Sequence, residues 1–141
     1  MIVTEQGDPL IIELALRLSG GWFSTHQIPA ATGVNLVDIG ISYALGEKVS
    51  VDQLIPKWNR ATSIRYWFPP SGNIKKIEGI ENLAKLPGLV DYGFFRDVGE
   101  FQPEIKMHPD RFGYLIVEAD NREASIDRVE DGISRLKILI D

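Results

Sequence analysis

The sequence predicts an α+β fold with helices on one side of a mainly antiparallel sheet, and three observations predict it. After residue 60, β-branched and aromatic runs alternate with Pro- and Gly-containing turn signals. Two stretches repeat apolar residues at helical spacing. The elements follow one another as two strands, a helix, two strands, a helix and a closing strand, an order that packs as one sheet layer and one helix layer. At 141 residues the chain can bury a sizeable single core.

Residues 1–4 read as a strand that turns through Glu5, Gln6, Gly7 and Asp8 into a second, strongly apolar strand over residues 9–18. The stretch from Trp22 to Pro29 reads as irregular. A helix is expected from Asn35, where Val34, Val37, Ile41 and Leu45 share a stripe laid on the strand below, with Gly46 at the carboxy-terminal cap. Ser50 and Gln53 have capping-box spacing for a short helix over residues 51–55, stopped by Pro56.

Residues 61–68 form a strand ending at the turn Pro69, Pro70, Ser71, Gly72, and residues 73–78 its partner. A short helix over 80–86 stops at Pro87 and Gly88, and 89–95 is another strand. Residues 96–111 are irregular, with His108, Pro109, Asp110 and Arg111 read as a structural turn. Residues 112–119 look like a central strand. The last helix carries Ile126, Val129, Ile133 and Leu136 on one stripe, is capped by Asp120 or Asn121, and hands over to a short strand at 137–140.

A formal net charge of -5 makes a poor electrostatic case for nucleic acid. The absence of cysteine removes disulfides and thiolate metal sites. No apolar run approaches bilayer length, so no membrane partner is expected and the expected address is the cytoplasm.

The chemistry concentrates at residues 9–21. In an extended strand Ile11, Glu13, Ala15 and Arg17 share one face, which puts an acid and a base together on a surface expected to be mostly buried. Buried charges must meet each other, a metal, a ligand or water. Gly20 and Gly21 follow and let backbone N–H groups approach an anion. These are the parts of a phosphate or carboxylate site, and equally of a structural ion pair followed by a turn; the residues alone leave both readings open. Thr25 and His26 supply donors beside the glycines, and Arg65 is a cation near Tyr66 and Trp67.

The run IIELALRLSGG followed by HQIPAATGVNLVDIGISYALGE resembles the end of an ATP-grasp carboxylate-amine ligase, a group including biotin carboxylase, glycinamide ribonucleotide synthetase and the L-amino acid ligases. Residues 9–47 carry the specific part of this likeness and the remainder is looser. The resemblance implies that residues 1–56 end an ATP-grasp lobe and 57–141 form a β-rich cap. It implies ATP and Mg2+ as cofactors, with Glu13 as the magnesium ligand. Arg17 would contact the transferred phosphate or the substrate carboxylate, Gly20 and Gly21 the phosphates, and Thr25, His26 and Arg65 the small-molecule carboxylate and amine substrates.

Ala15 stands where the family usually has a metal-binding asparagine, and the family's upstream acid would fall at or before Met1. Length therefore suggests the carboxy-terminal fragment of a larger ligase, inactive alone, whose partners are the remaining ATP-grasp lobes. A non-catalytic binding or regulatory module derived from the same fold is the alternative. A small dimerisation domain is the third, and a homodimer is compatible with each.

Overall fold

A computed structural model describes residues 2–141 of the chain. β1 (Ile2–Val3) and β2 (Pro9–Leu10) form an antiparallel hairpin pairing Ile2 with Leu10 and Val3 with Pro9. Its turn is closed by Thr4, whose hydroxyl accepts from the Asp8 N–H at 3.0 Å. The expected strand at residues 1–4 is thus present at Ile2–Val3, and Met1 lies outside the described residues.

The expected strand over 9–18 needs correcting. It is paired only at Pro9–Leu10, and Ile11, Ile12, Leu14 and Leu16 stand 66–94 % exposed. A strand is held by ladder hydrogen bonds to a neighbour, and among the described residues none lies beside this segment beyond Leu10. Glu13 and Arg17 are accordingly exposed, and the buried charged face does not form.

The stretch read as irregular is helical. A π-helical turn at Phe23–Gln27 runs into α1 (Ile28–Thr32), which Gly33 ends in the left-handed region at φ 74°. Gly33 is required twice over, since a Cβ there would meet the Trp58 ring at 2.9 Å. Trp58 fixes this contact by donating its indole N–H to the Ala30 carbonyl at 2.7 Å. α2 (Leu36–Ala44) starts at Asn35, whose side chain accepts from the Asp38 N–H. Only the Val34 end of its apolar stripe is buried, while Ile41 and Leu45 are exposed, so the expected packing along its length is absent. Ser50 and Gln53 form the capping box of a 3-10 turn at Val51–Leu54.

From residue 61 the chain builds β3 (Ala61–Trp67), β4 (Gly72–Glu78), α3 (Ile80–Leu83), β5 (Leu89–Phe94), β6 (Phe101–Gln102), β7 (Gly113–Ala119), α4 (Arg122–Ser134) and β8 (Lys137–Ile140). Two antiparallel three-stranded sheets result, ordered β3-β7-β5 and β6-β4-β8. The short β6 and a 3-10 turn at His108–Asp110 lie inside the segment read as irregular. α4, capped by Asn121, covers one face of β3 and β7, and the core joins Trp67, Ile74, Leu83, Phe112, Leu115, Val117 and Val129.

Strand alternation assigns the two faces of β3 to different tasks. Ser63, Arg65 and Trp67 face α4: Ser63 and Ser125 share a buried hydroxyl–hydroxyl bond of 2.8 Å, Arg65 meets Glu130, and the Trp67 indole donates to the Ile133 carbonyl. Ile64 and Tyr66 face the other way, into a cleft.

Candidate functional site

The cleft, of about 760 Å³, lies between the amino-terminal loop and the open face of the β3-β7-β5 sheet. Gly20, Gly21, Trp22 and Phe23 form one wall, Ile64 and Tyr66 the sheet side, and Phe95, His108, Pro109 and Arg111 the rim. Gly21 and Trp22 both sit in the left-handed backbone region, at φ 63° and 69°. That conformation is uncommon for a bulky residue and persists only where surrounding contacts enforce it. Here the Trp22 ring stacks on Tyr114 at 4.3 Å, and the Ser19 N–H donates to the Ser24 hydroxyl at 2.9 Å.

Tyr114 is the pivot between the two halves of the chain. It pairs across β3 with Tyr66 and across β5 with Gly93. A Cβ on Gly93 would come within 2.9 Å of the Tyr114 ring, so the missing side chain lets that ring cross β5, and its hydroxyl donates to Asp91 Oδ2 at 2.6 Å. Burial pushes the Tyr114 hydroxyl well above its ordinary pKa, and the bond to the Asp91 carboxylate pushes it further in the same direction.

The same Asp91 oxygen stands 3.2 Å from His26 Nε2, and His26 Nδ1 is 2.7 Å from the Thr25 hydroxyl. A carboxylate favours hydrogen on the nitrogen facing it, so a neutral ring presents Nδ1 as acceptor to the Thr25 hydroxyl. The result is a hydroxyl–imidazole–carboxylate–phenol line beside the cleft wall, with polar groups able to hydrogen-bond a ligand.

Of the residues singled out in sequence, Gly20 and Gly21 line the cleft, and Thr25 and His26 join the adjoining polar line. Glu13 and Arg17 lie on the exposed segment leading to the glycines, with Arg17 donating to the Leu18 carbonyl at 3.4 Å. Arg65 is not brought to them, because it extends from the opposite face of β3 to Glu130 at 2.7 Å. Asp91, Tyr114, Tyr66 and Arg111 were missed as site residues. The period-2 pattern of 61–68 and 112–119 puts Tyr66 and Tyr114 off the helix-covered face, and that was the signal available for them. Among the described residues no group of three or more His, Asp or Glu side chains could hold a metal by itself, and no helix is long and apolar enough to cross a membrane.

This antiparallel α+β architecture is that of a ligase carboxy-terminal domain. The chain belongs to the family described as L-amino acid ligase C-terminal domain 2, which it matches over residues 65–141. Three solved structures share the fold. They are an L-amino acid ligase from Bacillus licheniformis (TM-score 0.74, 19 % identity, 99 % of this chain and 34 % of that one), a phosphoribosylglycinamide synthetase from Anaerococcus prevotii (0.68, 21 %, 81 % and 29 %) and an N5-carboxyaminoimidazole ribonucleotide synthetase from Thermotoga maritima (0.61, 16 %, 99 % and 35 %). An uncharacterized protein, y4rH, from Sinorhizobium fredii is 27 % identical over 123 residues, 86 % of this chain and 25 % of that protein. The chain therefore spans between a quarter and about a third of the length of these relatives.

Proposed function

We propose that this chain is the carboxy-terminal part of a cytoplasmic ATP-dependent ligase that joins a small-molecule carboxylate to an amine through an acylphosphate. The carrying observation is continuity: the segment bearing Glu13 and Arg17 runs directly into the glycine pair that walls the cleft. Acyl phosphate formation builds negative charge on the transferred group, and a guanidinium offers it a planar pair of donors. Arg17 takes that role, Gly20 and Gly21 approach the phosphates through their backbone, and Thr25 and His26 contact the acceptor, with Asp91 holding the imidazole.

Magnesium is commonly bound by one or two carboxylates together with phosphate and water oxygens. An exposed carboxylate such as Glu13 suits that mode, and the remaining ligands come from ATP and from the other lobes. When bound, the ion supplies charge neutralisation at the phosphates. The isolated chain is inactive in this reading because those lobes complete the nucleotide cleft.

The test is acid- and amine-dependent ADP release by the polypeptide that also carries the amino-terminal lobes. Loss of turnover in Glu13→Gln and Arg17→Ala supports the assignment; parental turnover in both removes it. A second reading, a non-catalytic ligand-binding module, is favoured by Ala15 at the family's metal-binding position, and predicts ligand binding with no ADP release from the same polypeptide.

A further inference from the structure

We infer that Arg111 makes the cleft an anchor for a carboxylate carried on a flat, apolar body. This rests on the reading of the cleft as a substrate pocket and adds to it a residue and a ligand chemistry.

Most of the other arginines are occupied. Arg60, Arg65 and Arg135 are paired with Glu118, Glu130 and Asp131, while Arg17, Arg96 and Arg128 donate to backbone carbonyls, and Arg122, exposed on the first turn of α4, does not line the cleft. Arg111 forms neither kind of side-chain bond among the described residues. Its guanidinium lies 3.9 Å above the Tyr66 ring, on the cleft rim. A guanidinium held against an aromatic face keeps its in-plane N–H groups available, and that planar fork matches the two oxygens of a carboxylate.

The rest of the cleft describes the remainder of the ligand. Trp22, Phe23, Ile64 and Phe95 supply apolar walls, and about 760 Å³ is the range of small-molecule pockets. Trp22 is a fixed wall, since its left-handed backbone and its stack on Tyr114 leave it little freedom. A Cβ at Gly20 would meet nothing within 4 Å, so the floor beside that wall is open. One guanidinium balances one negative charge, which favours a carboxylate over a phosphate dianion.

The test uses the 141-residue chain with three probes followed by amide and indole NMR shifts: 3-phenylpropionate, 3-phenylpropanamide and phenyl phosphate. The acid should shift Trp22, Gly20 and Gly21, and bind about tenfold or more tightly than the amide, the scale of one charge-assisted contact. Arg111→Gln should abolish that preference while keeping native spectral dispersion, and Arg111→Lys should recover only part of it. Should Arg111→Gln fail to fold, the acid-against-amide comparison on the unaltered chain decides alone. Equal binding of acid and amide, no binding of the acid, an unchanged preference in folded Arg111→Gln, or phenyl phosphate binding tightest would each overturn the inference. No nucleotide is present, so the outcome is independent of ADP release and separates this inference from the ligase reading.

Discussion

His26, on the π-helical turn, and Asp91, on β5, stand 3.2 Å apart and tie the amino-terminal segment to the sheet across a sequence separation that no local rule would bridge. Each side chain is about a third exposed, so solvent screens the contact. A double-mutant cycle of His26→Ala and Asp91→Ala in chemical denaturation should give a coupling of about 0.5 kcal/mol, at the level of an exposed pair. A coupling of zero would show that this pair adds nothing to the Trp22 stack and the Trp58 bond to Ala30 in joining the two halves.

Gly93 makes the bond between Tyr114 and Asp91 possible. Gly93→Ala should drive its new methyl into the Tyr114 ring, with an overpacking cost of about 1–3 kcal/mol read as a lowered denaturation midpoint. The same change should shift the His26 and Trp22 NMR signals, because Tyr114 is the surface on which Trp22 rests.

Alkaline pH probes the same tyrosine. Its folded-state pKa lies above the unfolded value of about 10, so its contribution to stability is complete below that value and is lost as pH rises beyond it. Unfolding free energy should therefore fall above about pH 10, and Tyr114→Phe should remove that part of the slope. Ultraviolet titration should show the ionisation of Tyr114 displaced to higher pH than an ordinary tyrosine's, and Tyr114→Phe should remove that step.

Gly132 inverts a helix rule. In an exposed helix interior, Gly→Ala stabilises by about 1 kcal/mol. At Gly132 a Cβ would lie 2.4 Å from a methyl of the fully buried Leu115 and 2.7 Å from one of Leu86. Gly132→Ala should thus destabilise, by about 1–2 kcal/mol in thermal or chemical unfolding.

Glu13→Gln and Arg17→Ala should leave the stability of the chain within about 0.5 kcal/mol of its starting value, as surface changes do. A larger effect would mean that the segment between Ile11 and Leu18 is packed in solution.

Element starts were legible because they are written locally, whereas the expected pairing of 61–68 with 73–78 is not made: β3 pairs with β7, and β4 with β6 and β8, because pairing is decided between segments distant in sequence. Asn35, Asn121 and the Ser50–Gln53 box start the elements their chemistry predicts, and β-branched and aromatic runs mark β3 and β7. Residues 11–18 misled for the opposite reason: alternating apolar side chains record a strand's capacity, while its formation depends on a neighbour. The helical turn at Phe23–Gln27 was hidden because its residues have weak helix propensity, and Trp22, which caps it, is anchored by a stack on Tyr114 from a distant strand. The site divided the same way. The glycines and His26 stand out in the sequence, whereas Asp91 is brought to His26 only by the folding of β5 beside the π-helical turn, and Arg111 sits in a stretch whose composition resembles an ordinary turn.

The two-sidedness of β3 means that, in the substrate-pocket reading, ligand preference can change without disturbing the architecture. Positions 64 and 66 border the pocket while 63, 65 and 67 hold the helix, so randomising the first pair tests recognition against an intact scaffold. Descendants of one such chain can diverge in what they accept by exchanging alternate residues along a single strand.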